Sequence, residues 1–271
     1  MLAGDADAVH RARVATRRLR EILPLLQGHR QAAKKLRQDV RDITRALGPI
    51  RELDVAIGLI IRLIHDDPAL EAPLELVRIA LMDARVRRRR QLARRFDQVE
   101  VTGIAARLIE LAREVDNGMI RRVALDRVQL RARLATRAAA VHAAVESAGA
   151  LYAPEPLHAV RIATKKLRYA VEVARLGELS GAATLAKRLK RFQDRLGEWH
   201  DWQVLATHVG RAQGQLPVTD PHLSDLTTLL ALLEDRCRAL HAEFMTQRDD
   251  LLALCGEIAD SARTPPQHTQ R

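Results

Sequence analysis

The chain has 271 residues and a formal net charge of +11; hydrophobic residues make up 47% of it, and only seven are aromatic. An apolar content built from Ala, Leu, Val and Ile with little Gly or aromatic character suits packed helices and argues against an all-β protein, while the length is enough to bury a core and excludes a chain that is disordered as a whole. The strong positive balance attracts polyanions.

Helical periodicity then gives the elements in chain order. A first helix is predicted from about Asp7 to Leu26, closed by Gln27-Gly28, and a second from Gln31 to Ile64, with Gly48-Pro49 as a candidate kink. Asp66-Asp67-Pro68 turns the chain into a third helix, about Glu71 to Val99, and a short fourth covers Gly103 to Val115. Further helices are expected near 119–148, 155–177, 181–214 and 222–262, and the segment 263–271 is expected to be disordered. Cys237 and Cys255 fall in the last of these helices, where a rise of ~1.5 Å per residue sets them ~27 Å apart; that excludes a disulfide and reads them as buried small apolar residues. No stretch has the length and apolarity of a membrane span. The first ten residues lack the order of a signal peptide, so a soluble, intracellular protein is expected.

The positive charge is concentrated in two blocks. From Arg11 to Arg51 there are twelve Lys/Arg against three acids, and from Glu155 to Arg195 ten against four, whereas Leu196 to the end carries six basic against eleven acidic residues. The blocks repeat. VHRARVATRRLR (9–20) aligns without gaps on LHAVRIATKKLR (157–168) with six identities in twelve columns, and LGPIRELDV (47–55) is followed at nearly the same offset by LGEWHDWQV (196–204). Two motifs in the same order in each half indicate an internal duplication with its junction around Asp116 to Met119. The predicted architecture is all-α: two antiparallel helical bundles, residues 1–116 and 117–262, related by a pseudo-twofold.

On a helix, His10, Arg13, Arg17 and Arg20 fall within an arc of about 80°, and His158, Arg161, Lys165 and Arg168 reproduce it. A solvated face mixes signs through i,i+4 pairs; these stripes contain no acid, so their self-repulsion costs stability unless an anion is present. Downstream, Lys34, Arg41 and Arg45 in the first half and Lys187, Lys190 and Arg191 in the second project away from the apolar faces of their helices. Arg85 and Arg89 share a face of the third helix. Arg41 matches Lys190, but Arg45 matches Asp194, so the halves are not electrostatic copies.

The doubled motif, VHRARVATRRLR and LHAVRIATKKLRY each followed by an LG(x)3[DE] element, resembles the two halves of the conserved histidine α-helical domain, the CHAD family, over about Ala6 to Ile258. The resemblance implies two four-helix bundles around a basic cleft, a non-catalytic activity, inorganic polyphosphate as partner, and association with polyphosphate granules in the cytoplasm. It also implies His10, Arg13, Arg17, Arg20, His158, Arg161, Lys165 and Arg168 as ligand-facing groups. The ExExK signature of the triphosphatase domain fused to some relatives does not occur here, so triphosphatase activity is not implied. Only nine residues precede His10, so the first bundle is expected to lack most of the helix that precedes His158 in the second.

Departures at the LG element, where Arg51 is matched by His200 and Asp54 by Gln203, mark Glu52, Asp54 and Asp201 as residues that orient arginines rather than bind ligand. The aromatic platforms of single-strand readers are missing from the stripes, with Tyr169 only at a border, which favours a polyanion without bases over a nucleic acid. A basic helix lying along duplex phosphates stays open as an alternative. So does a metal-binding bundle, from Asp7-Ala-Val-His10 and Glu155-Pro-Leu-His158, although the surrounding cations repel a dication. Thr16 and Thr164 are read as bonding their own backbone or ligand oxygens, with no catalytic role; no cofactor is expected.

Overall fold

The computed structural model describes residues 6–25, 30–98, 101–116, 127–176 and 181–263, and all the regular structure among them is helical. In chain order the helices are α1 (Ala6–Ile22), continued by a 3-10 turn (Leu23–Leu25), α2 (Arg30–Asp66), a second 3-10 turn (Pro68–Leu70), α3 (Glu71–Gln98), α4 (Val101–Asp116), α5 (Arg127–Ser147), α6 (Pro154–Leu176), α7 (Ala182–Gln213), α8 (Leu223–Thr246) and α9 (Arg248–Arg263). None of them is long and apolar enough to cross a membrane. The predicted start of α5 at 119–126, most of the junction at 116–119 and most of the tail lie outside the described residues.

Local chemistry accounts for the boundaries. The Asp67 carboxylate accepts from the Ala69 backbone N–H at 3.1 Å, and Pro68 supplies the preset φ of a first helical position, so the chain reverses from α2 into α3 within a few residues. As the predicted span of Gln31 to Ile64 expects, α2 continues through Pro49 as one helix of 37 residues. A single helix over 222–262 is corrected to two. At the break the Thr246 hydroxyl donates to the Glu243 carbonyl at 2.8 Å, competing with the backbone ladder, and Asp249 and Asp250 in the next turn favour a new helix N-terminus. Cys237 therefore lies on α8 and Cys255 on α9, so the one-helix distance does not apply; both are buried and neither is in a disulfide. Burial pushes the Cys255 thiol up to about 12.

The chain forms two compact units. The first takes Met1–Arg17, Gln38–Leu111 and Glu198–Leu240, and the second Arg18–Arg37, Ala112–Gly197 and His241–Arg271. Their boundaries differ from the sequence halves 1–116 and 117–262, because each unit draws segments from both. In the first unit Leu53, Ile57 and Ile60 of α2 meet Leu74, Val77 and Leu81 of α3, Leu205 and Val209 of α7, and Leu226 and Leu233 of α8. A smaller cluster packs Val9 of α1 against Leu47, Ile50 and Leu92. Trp199 is fully buried, whereas Trp202 is half-buried at the edge of the larger core with the Arg236 guanidinium 5.9 Å from its ring. In the second unit α5 packs against α6 and α9. Leu134, Ala138, Val141 and Val145 recur at helical spacing on α5 and are all buried, which is the pattern that makes this segment a helix.

Candidate functional site

In the first unit the site begins with the docking of α1. Val9 enters the cluster with Leu47 and Ile50, and the residues that follow it on the flanking arc are His10, Arg13 and Arg17. Arg13 is half-buried, and its guanidinium donates to the Leu47 carbonyl at 3.2 Å. That position is open because residue 48 is glycine: a Cβ there would sit 3.3 Å from the Arg13 Nη1. The Thr16 hydroxyl donates to the Arg13 carbonyl at 3.2 Å, as the reading of a threonine bonding its own backbone expects. Arg51, one turn beyond Gly48, completes the group.

The electrostatics record the crowding. The His10 imidazole is held below its ordinary value by partial burial, then by Arg51, and by Arg13 and Arg17, with Asp7 opposing them. A single acid does not offset three guanidinium groups. The imidazole therefore gives up its proton more readily than a free one does.

Arg85 and Arg89 on α3 are held by Asp54 of the same LG element. Asp54 Oδ1 lies 2.5 Å from Arg85 Nε and 3.8 Å from Arg89, and its side chain is 2% exposed. These contacts lack hydrogen-bond geometry, leaving both Asp54 oxygens and Arg85 Nε buried without a hydrogen-bond partner. Arg89 is shifted downward by burial and by Arg85, with Asp54 opposing. Asp54 is thus an arginine-orienting acid, and the two arginines are less available to a ligand than their face on α3 suggests. Arg41 and Arg45 are exposed on α2, with Arg45 3.8 Å from Asp42.

The second unit contains the other stripe. His158 is exposed, and Arg161 and Lys165 are half-buried. Arg168 is bound into the fold: its Nε donates to Gln193 Oε1 at 2.6 Å, its Nη1 pairs with Glu172, and its guanidinium stands 4.5 Å from the Tyr169 ring centre. Glu172 also faces Arg18 at 3.6 Å. Thr164 is fully buried between the stripe positions, and its hydroxyl has no hydrogen-bond partner. Arg20, Lys34, Lys187 and Arg191 are exposed; Lys190, also exposed, pairs with Asp194 on its own helix at 2.5 Å.

Sequence reasoning missed two features. Arg51 was legible only as a difference between the LG elements, although of the charged groups around His10 it acts on the imidazole most strongly. Glu21, an acid inside the first basic block, is buried and held by Arg133 at 2.7 Å and Arg137 at 3.5 Å, so part of the charge on α5 is structural. Neither has a periodic signal. The stripes fall in different units: His10, Arg13 and Arg17 in the first, and Arg20 with His158, Arg161, Lys165 and Arg168 in the second.

No curated protein and no solved structure matches the chain. A family model does match, that of the CHAD domain, over residues 1–210, which takes in both copies of the repeated motif and both LG elements but stops short of the expected end near Ile258. The chain belongs to the CHAD domain family.

Proposed function

We propose that the protein binds inorganic polyphosphate without chemical turnover, through the stripe on α1 and the stripe on α6, and that in the cell it associates with polyphosphate granules. Membership of the CHAD family is consistent with polyphosphate binding in general. The observation that carries the reading furthest is the α1 cluster, where partial burial and then the charges of Arg51, Arg13 and Arg17 hold the His10 pKa down, with Asp7 the one acid opposing them. Such a cluster is stabilised by a partner of dense negative charge. Polyphosphate offers that density with no bases to stack, and the stripes offer guanidinium forks and ammonium groups with no aromatic platform.

Exposed cations on neighbouring helices extend the attraction. Lys34, Arg41, Lys187 and Arg191 are all exposed. With two stripes on one chain, a long polymer engages the second at high effective concentration once bound to the first, so long chains outcompete short oligophosphates.

The test is competition in rising salt. Polyphosphate, duplex DNA and RNA of matched charge are titrated into the purified protein. The proposal expects polyphosphate to win at physiological salt, with log affinity falling steeply with log salt, by analogy with a slope near −0.9 per phosphate contact on DNA. Equal competition by DNA or RNA would transfer the assignment to a general nucleic-acid binder.

A further inference from the structure

Helix α3 has two apolar stripes, and only one is used. Leu74, Val77, Leu81 and Leu92 are buried on its inner face. At ~100° per residue, Ile79, Met82 and Val86 lie about 130° around the helix from that face. They are 55%, 41% and 47% exposed, on three successive turns. The charges at the two ends of this outer stripe differ: Glu71 and Glu75, the latter paired with Arg78, stand at the N-terminal end and Arg90 and Arg94 at the C-terminal end, with Asp83 midway beside Met82. An open groove next to the stripe's N-terminal half is lined by Glu71, Glu75, Ile79 and His222.

We propose that this face pairs with the same face of a second copy of the chain, the two α3 helices running antiparallel about a twofold axis beside Met82. Setting Ile79 against Val86 of the other copy brings Glu75 opposite Arg90 and Glu71 opposite Arg94, and by symmetry the same pairs recur at the far end. Parallel pairing would instead set acid on acid and arginine on arginine. A uniformly acidic partner would clash with the glutamates, and a uniformly basic one with the arginines, so the helix's own charge order selects a reversed copy of itself. Its acid-lined groove receives the arginine-bearing end of the partner helix. The seam from Glu71 to Arg94 is ~35 Å long and a single helix wide, below the ~1,600 Å² of a standard interface, so the dimer is weak, reversible and salt-sensitive.

Sedimentation velocity of the full chain at low salt, over a wide concentration range, tests this. A monomer–dimer equilibrium is expected, with Met82→Glu monomeric at every concentration while its helical circular dichroism is retained. Glu71→Arg and Arg94→Glu should each weaken the dimer by about tenfold, and the double variant should restore it, because exchanging the charges recreates the pairs in reverse. Glu71 and Arg94 are chosen because Glu75 already pairs with Arg78 on its own helix at 2.5 Å. If Met82→Glu fails to fold, Met82→Cys gives a second reading: mild oxidation should link two chains through that residue. A wild type that stays monomeric, a dimer indifferent to Met82→Glu, a double variant no better than its parents, or a Met82→Cys chain that does not cross-link would each overturn the proposal.

Discussion

Arg13 and Gly48 are fitted to one another: the guanidinium of the first repeated motif lies over the glycine of the second, 3.3 Å from where a Cβ would be, and donates to the carbonyl just before it. The two motifs of the first half thus meet through this contact. The equivalent glycine of the other half, Gly197, has nothing within 4 Å of its Cβ position.

The two glycines should therefore respond differently to alanine. Both lie inside helices, where Gly→Ala gains up to ~1 kcal/mol. Gly197→Ala is expected to gain stability and leave polyphosphate affinity unchanged. Gly48→Ala should displace Arg13 by a few tenths of an ångström, gain little stability and weaken binding several-fold. Thermal denaturation and a binding titration on each variant check this.

Charge reversal at Arg13 with Arg17, or at Arg161 with Lys165, should weaken polyphosphate binding by at least about tenfold, several charged contacts being lost at once. Helicity should persist, because the apolar faces of α1 and α6 are untouched. Circular dichroism together with affinity separates lost contacts from lost fold.

The depressed His10 pKa fixes the sign of a pH effect. Folding favours the neutral imidazole, so its contribution to stability is complete above the unfolded value near 6.5 and is lost as pH falls through the lower folded value. A bound polyanion acts the other way and favours the charged form. Binding should take up a proton and tighten as pH drops below neutrality, by no more than about tenfold per pH unit for one imidazole. Affinity measured against pH for wild type and His10→Gln tests this; the variant should show a flatter profile.

Asp54 neutralises part of the charge on α3, and Asp54→Asn would leave Arg85 and Arg89 facing each other without a counter-ion. A loss of about 3 kcal/mol is expected from breaking this largely buried group. Polyphosphate should then raise the melting temperature of the variant more than that of wild type, since the released arginines become available to it. Thermal melts with and without polymer give the comparison.

The helices were legible because their signals are local. Asp67-Pro68 is a cap that needs no tertiary partner, and the spacing of Leu134, Ala138, Val141 and Val145 has one burial solution. The α8–α9 break was hidden by apolar periodicity that continues across Thr246 and Gln247. The stripe residues were visible through repetition, but which of them stay available was not. That depends in part on acids distant in sequence, since Asp54 reaches α3 and Glu21 is claimed by α5, and in part on Glu172, which lies one turn from Arg168 on the same helix and holds both Arg168 and Arg18. Unit boundaries were similarly out of reach, since they follow from tertiary packing of segments that the repeat assigns to opposite halves.

Both tryptophans of the chain sit three residues apart on α7, within the unit that also contains His10, Arg13 and Arg17. The second unit carries Tyr152 and Tyr169 as its only tyrosines and has no indole. Excitation at the red edge of protein absorbance therefore reports on one unit alone. Its emission combines a blue component from the enclosed Trp199 with a redder one from Trp202, which faces a guanidinium. The chain carries its own optical label on one unit, without any engineered dye.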